Sequence, residues 1–301
     1  MKGKQVLIIL GVAAGLGALF FGVMVLAMFL GGGRASGDMA ALPGLDKVAL
    51  VKIEGVLLSS EQTVDEIDDY ADDSSVKAII VRVDSPGGGV VPSQEIYNAL
   101  VSARKKGKKI VVSMGSLAAS GGYYVAAAAD RIVANPGTLT GSIGVKMEFA
   151  NLEKLLDKIG VKGMVIKAGE YKDIGSPYRE MTEPEKKLLQ NVIDDVHDQF
   201  IEAVAKGRNI PEADVRAIAD GRVFTGRQAL KLKLVDELGD LEDSIRIAGE
   251  LAGIKGKPKV VRREKRSSFL EYFKEESASW ISDIVARGVG RHMVRLDYLY
   301  Q

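Results

Sequence analysis

Cysteine is absent from all 301 residues of the chain. Thiol catalysis, disulfide stapling, cysteine-bound zinc and a bacterial lipoprotein anchor are therefore excluded. The absence fixes no compartment, because a cysteine-free chain folds in oxidising and reducing surroundings alike. Histidine is nearly as scarce: His197 and His292 are the only two, which narrows histidine-based catalysis and metal binding. Excess charge is lacking as well. With 41 Lys and Arg against 40 Asp and Glu the net charge is +1, so no global electrostatic attraction to nucleic acid is expected. The glycine-rich turn Asp84–Gly89 has neither dinucleotide spacing nor the Lys-Ser/Thr of a P-loop, which leaves a phosphate site unsupported. No cofactor and no metal is expected.

One long hydrophobic run is present. Val6 to Leu30 carries no charged residue, and a helix of that length spans a bilayer at about 1.5 Å per residue. Lys2 and Lys4 precede it, whereas Arg34 and Asp38 follow it with no net charge. The positive-inside rule then sets the N-terminus in the cytoplasm and the body of the chain outside it. The rival is a cleaved signal peptide, for which Arg34–Gly37 offers small residues. The run exceeds a usual signal-peptide core, which favours a retained anchor over residues 1–30 with membrane lipid as partner. Residues 31–46, opening on Gly31–Gly33, read as a linker.

Beyond the linker, strand-like and helix-like stretches alternate, which predicts an α/β layered domain. Strands are expected at Val48–Ile53, Ala78–Val83, Ile110–Met114, Met164–Ile166 and near Leu234. Glu61–Asp73 holds seven acidic residues and no basic one, with Val64, Ile67 and Ala71 at helical spacing. That pattern is a solvated amphipathic helix. Helices are also expected over Glu95–Lys106, residues 180–206 and within 223–252. His197 falls in the second of these, away from any glycine-rich turn, and is expected on a surface or in a cap. Lys255–Arg266 holds seven basic residues against Glu264 and reads as an exposed segment, either a solvated linker or a contact for an anionic membrane.

The stretch richest in chemistry is Ala118-Ala-Ser-Gly-Gly-Tyr123. It follows the β-branched run after Lys109 and precedes a helix-forming run from Tyr123. A serine at such a junction sits where unpaired N–H groups and the helix dipole favour negative charge. The glycines would let a carbonyl approach those groups. Tight strand-to-helix packing would use the same small residues, so this motif alone leaves both readings open. Asp84–Gly89 is a second turn that offers backbone N–H groups, with Pro86 fixing φ ahead of three glycines. No histidine lies near either turn in sequence. A lysine serves as base where burial lowers its pKa toward about 7–8, and composition does not choose among the many lysines.

Four motifs occur in order: Asp84–Gly89, Met114-Gly-Ser-Leu-Ala-Ala-Ser-Gly-Gly-Tyr-Tyr124, Thr140-Gly-Ser-Ile-Gly144 and Tyr171-Lys-Asp-Ile-Gly-Ser-Pro177. With them the chain resembles the short, single-unit form of the signal peptide peptidase A family, the membrane-bound serine peptidases of type S49 within the Clp-protease/crotonase superfamily. The resemblance spans roughly residues 46–255 and the N-terminal anchor. It implies a layered fold of repeated ββα units with a catalytic domain over 47–255, and a basic segment and aromatic tail over 256–301. It makes Ser120 the nucleophile, Lys172 the general base and Ser142 the serine that orients the lysine. Gly87, with the N–H of Gly121, matches the oxyanion hole. Many relatives carry Asn where Asp84 stands.

The resemblance also implies ring- or dome-like homo-oligomers, a dyad that is completed across a subunit boundary in some members, and remnant signal peptides or similar small apolar peptides as substrates. A Clp-type Ser-His-Asp site fails, since residues 121–196 hold no histidine. A crotonase-type acyl-CoA enzyme and a catalytically silent membrane scaffold are the alternatives. The apolar end Leu296–Tyr300 is a candidate occupant of the site's own groove.

Overall fold

The computed structural model describes residues 46–263 and 297–299. The predicted anchor and most of the aromatic tail lie outside them. Among the described residues no helix is long and apolar enough to cross a membrane.

Alternation along the strands builds the layers. In β1 (Lys47–Glu54) and β2 (Val76–Ser85), Val48, Leu50, Ala78 and Ile80 point to one face, and Ala49, Val51, Ile79 and Val81 to the other. Both faces are buried, so the strands read as near-continuous apolar runs, as expected of parallel strands covered on both sides. The two strands pair in parallel, and β2 pairs in parallel with β4 (Lys109–Ala119). The long β4 then serves two partners: its first half pairs with β5 (Arg131–Ala134), and its end, Leu117–Ala119, with β6 (Leu139–Gly141). A register shift between Val83 and Ser85 marks the change of direction.

Helices cover the sheet on both sides. One cluster of buried side chains joins the sheet to α1 (Glu61–Asp72), α2 (Val90–Lys105), α3 (Gly121–Ala126) and, beyond α4 (Glu153–Lys158), to α5 (Glu183–Arg208). Helix α5 starts on a capping box: Thr182 accepts from the N–H of Glu185, whose carboxylate accepts from Thr182 N–H. After α6 (Glu212–Arg216), β7 (Val223–Thr225) adds antiparallel to β6; α7 (Gly226–Lys231) and β8 (Glu237–Leu238) follow. Helix α8 (Leu241–Leu251) covers the opposite face with Ile245, Ile247 and Ala248.

Several expectations shift. The strand expected near Leu234 and Val235 forms instead at Glu237–Leu238 as β8, while Leu234 and Val235 are buried in the preceding turn. Met164–Ile166 is in no strand; Met164 and Ile166 are 87% and 94% exposed. Its apolar run satisfies strand propensity, but among the described residues it pairs with no strand. Within the basic segment, β9 (Lys259–Val261) pairs with β1 at the sheet edge. There the lysine and two valines alternate as an edge strand allows. His197 caps nothing: it is mid-helix beside the buried Val196, half-buried, and its Nε2 is enclosed with no hydrogen-bond partner among the described residues.

Where α5 passes the end of α3, a Cβ on Gly207 would lie 2.0 Å from the Ala127 carbonyl oxygen. Gly207→Ala is therefore expected to lower unfolding free energy by about 1–3 kcal/mol through overpacking, measured by chemical denaturation. A variant as stable as the parent would show that the two helices separate freely here.

Candidate active site

Ser120 lies at the end of β4, as the residue preceding α3, with its side chain 2% exposed. Its φ of 53° is rare for a residue with a side chain and strains the junction by about 1–3 kcal/mol. Two bonds hold it there. Ser120 N–H donates to the Gly141 carbonyl of β6 at 2.8 Å, and Tyr124 N–H donates to the Ser120 carbonyl at 2.8 Å. The first fixes the serine to the neighbouring strand and the second starts the helix. The strained serine is thus clamped from both sides.

The two glycines that follow are demanded by contact. A Cβ on Gly121 would lie 2.5 Å from Ser93 Oγ and 3.2 Å from both Gly87 Cα and Gly88 N. A Cβ on Gly122 would lie 2.9 Å from the Ser85 carbonyl oxygen. The start of α3 therefore rests directly on the backbone of residues 85–88, and the two glycine-rich turns form one structure. Upstream, Asp84 Oδ1 accepts the N–H of Leu117 at 3.0 Å, which shapes the last turn of β4 before the serine. The amide oxygen of an asparagine has the same acceptor.

Backbone directions in β3 (Gly87–Gly89) decide which amide faces the site. Leu57 N–H donates to the Gly87 carbonyl, and Gly89 N–H donates to the Leu57 carbonyl, each at 2.8 Å. Alternate residues of a strand turn their hydrogen-bonding groups to opposite edges, so Gly88 presents its N–H and carbonyl to the other edge. The N–H of Gly87 is already engaged, donating to Ser85 Oγ at 3.1 Å. On the edge that Gly88 faces lies β10 (Asp297–Leu299), antiparallel, with Leu299 opposite Gly87, Tyr298 opposite Gly88 and Asp297 opposite Gly89.

Ser142 follows Gly141, the residue whose carbonyl holds Ser120. It is 7% exposed with φ 52°, and its N–H donates to the Arg222 carbonyl at 2.8 Å. Ser120, Gly121, Gly87, Gly88 and Ser142 are thus gathered on three adjoining backbone segments. Lys172 stands apart from them. It is exposed, in a turn closed by its own N–H to the Gly169 carbonyl, and among the described residues no hydrogen bond joins it to Ser120 or Ser142.

The segment bearing Lys172 is tied down by charge. Arg179 donates to both oxygens of Asp173, at 2.9 and 2.8 Å, and to Glu185 Oε2 at 2.9 Å; Lys167 also bonds Asp173. Arg179, with Lys167, holds the Asp173 carboxyl well below the usual carboxylate range. Arg179, joined by the Thr182 N–H, pulls Glu185 down to about 2. This bridge links the neighbour of Lys172 to the capping box of α5. Sequence reading missed the bridge and also Ser85 and Ser93. Ser85 lies inside a motif already marked, whereas nothing in the sequence separates Ser93 or Arg179 from other polar residues.

A buried, strained serine against backbone N–H groups, beside a strand edge that takes an extended chain, defines a hydrolase-type site on an α/β fold. The comparisons narrow the class. The sequence profile of Peptidase family S49 matches residues 102–255. A candidate protease of Synechocystis sp. is 47% identical over 209 residues, covering 69% of this chain and 75% of that protein. A candidate signal peptide peptidase SppA of Enterococcus faecium is 40% identical, covering 58% and 51%. The chloroplastic serine protease SPPA of Arabidopsis thaliana is 34% identical, covering 75% and 33%. The chain belongs to peptidase family S49 and is a serine protease of that family, acting on peptides.

Folded carboxylates with depressed pKa values stabilise above their unfolded pKa and lose that contribution as pH falls through the folded one. Arg179→Met should therefore lower the denaturation midpoint by a constant amount at neutral pH. The gap to wild type should narrow from near 4.5, the ordinary glutamate value, down towards about 2. A gap independent of pH would dismiss the bridge as a stabilising element.

Proposed function

We propose that the protein is a membrane-anchored serine endopeptidase with a Ser120–Lys172 dyad, and that it degrades cleaved signal peptides and similar small, apolar, extended peptides outside the cytoplasm. The observation that carries this reading is the strained, buried Ser120 set against β3, along which a strand already lies antiparallel. A peptide substrate takes the same seat as β10, with its backbone paired to Gly88 and its scissile carbonyl over Ser120. Oxyanion donors are the N–H of Gly121 and that of Gly88. Gly88 replaces the Gly87 of the family-based expectation, because Gly87 N–H is held by Ser85.

In the reaction, neutral Lys172 accepts the proton of Ser120 as the hydroxyl oxygen attacks the carbonyl. The tetrahedral oxyanion is held by the two N–H groups and collapses to an acyl-serine as Lys172 returns the proton to the leaving amine. Water, deprotonated by Lys172, then releases the carboxylate and restores the serine. Ser142 orients the lysine. A homo-oligomer, ring- or dome-like, supplies the contact that brings Lys172 to a serine, within one chain or from a neighbour. Support comes from the segment that bears Lys172, which exposes Leu155, Ile159, Met164 and Ile166. The anchor rests on the uncharged run Val6–Leu30 and the lysines before it.

Ser120→Ala and Lys172→Ala should each lower peptide hydrolysis by about 10³-fold or more with fold and assembly intact. Retained activity in either would remove the dyad, and a serine-reactive probe that labels wild type but not Ser120→Ala separates peptidase from scaffold. The tail competes with substrate in this reading. Deleting residues 290–301 should raise kcat/KM by about threefold or more, and unchanged activity and assembly would show that β10 does not obstruct the groove.

A further inference from the structure

Ser85 makes no contact with substrate in the proposed reaction, yet its side chain organises the turn that faces it. It is fully buried. Its hydroxyl donates to the Gly55 carbonyl at the exit of β1, at 2.6 Å, and accepts the N–H of Gly87 at 3.1 Å. A hydroxyl has one proton to give. With that proton committed to Gly55, a lone pair is left aimed at Gly87. The same residue's carbonyl oxygen lies under Gly122, where a Cβ would come within 2.9 Å. Ser85 therefore ties together the end of β1, the Pro86–Gly87 turn and the floor of α3.

We infer that Ser85 is a positioning residue of the oxyanion site: its buried hydroxyl holds the Gly87 N–H away from the groove and so presents Gly88 N–H to the substrate carbonyl. The inference rests on the serine-peptidase reading given above. Gly87, at φ 98°, has no side chain to fix its peptide plane, and Pro86 contributes no N–H. The Gly87 N–H lies in the peptide plane shared with the Pro86 carbonyl, whereas the bond that Leu57 N–H donates to the Gly87 carbonyl holds the following plane, which carries Gly88 N–H. Without the Ser85 hydroxyl, Gly87 N–H becomes a buried donor lacking its partner. The Pro86–Gly87 plane is then free to turn toward the site to find one. Gly88, next in the chain and 3.2 Å from a Cβ built on Gly121, would be displaced with it. A displacement on the scale of 1 Å costs about 10²-fold in rate.

The test compares a tetrahedral adduct with a ground-state ligand on the full chain. A peptide aldehyde adds to Ser120 and develops an oxyanion, whereas the matching peptide alcohol binds the groove without one. Ser85→Ala should lower kcat by about 10- to 100-fold and leave KM within about threefold. Aldehyde inhibition should weaken by a similar factor, with the alcohol changed by less than about threefold. Equal weakening of aldehyde and alcohol would assign Ser85 a merely structural role, and a kcat within threefold of wild type would overturn the inference outright. Should Ser85→Ala fail to fold, Ser85→Cys keeps the volume with a weaker acceptor. It is expected to shift the aldehyde alone, in the same direction by a smaller factor, and no shift there overturns the inference equally. If the serine-peptidase reading itself is at fault, wild type will bind aldehyde and alcohol alike and Ser120→Ala will hydrolyse peptide.

Discussion

The contact between Gly121 and the backbone of Gly87 and Gly88 is the constraint on which the site depends. A Cβ on Gly121 would lie 3.2 Å from Gly87 Cα and Gly88 N and only 2.5 Å from Ser93 Oγ, so two amide-bearing turns from distant parts of the sequence approach as backbone on backbone. The sheet makes this approach possible. β2 and β4 run in parallel side by side, so their C-terminal ends emerge together and the turns that follow meet at the same edge. Ligand sites at the carboxyl ends of parallel strands follow from this geometry. Here it brings the glycine turn after β2 under the helix that starts after β4.

Strain at Ser120 has its origin in the same contact. A positive φ persists only where the surroundings over-determine it, and each neighbour of Ser120 has little freedom. Its N–H is committed to Gly141, its carbonyl to Tyr124, and the next two residues lie against the turn. Gly141 is itself immobilised, since a Cβ there would lie 2.6 Å from the Phe224 ring. The segment that holds the serine thus continues directly into Ser142. Rigid placement of Ser120 and of Ser142 comes from the fold, and local propensity opposes it.

What the sequence disclosed follows from which interactions are local. The apolar alternation of Val48–Ile53 and Ala78–Val83 and the 3.6-residue spacing of α1 and α5 are local, and those elements formed close to where periodicity set them. The serine junction was visible for the same reason, because glycines and a β-to-helix change sit side by side. By contrast, the engagement of Gly87 N–H by Ser85 and the facing of Gly88 depend on a third segment, Gly55–Leu57. No spacing within Asp84–Gly89 encodes that. Met164–Ile166 misled because β-propensity reports an apolar, branched surface and is silent on whether an edge stands ready to pair. In β9 the reverse occurred: its lysine-rich surroundings suggested a solvated linker, yet the free edge of β1 was there to receive it.

Under the proposed reading, Lys172 joins the chemistry to assembly. A lysine is a base only when neutral, and neutrality near pH 7 requires that water be removed from around it. One chain alone leaves Lys172 exposed on a segment whose apolar side chains are also exposed. Burial of those side chains against another copy would remove water from the lysine in the same step, with hydrophobic contact supplying the free energy for desolvation. Under the proposed reading, oligomerisation and activation of the base are therefore one event. The Asp173–Arg179–Glu185 bridge then has a definite part: it fixes the segment to α5 before assembly, so that fewer conformations are lost when the neighbour docks. Under the same reading, a base that is active only when covered confines proteolysis to the assembled form.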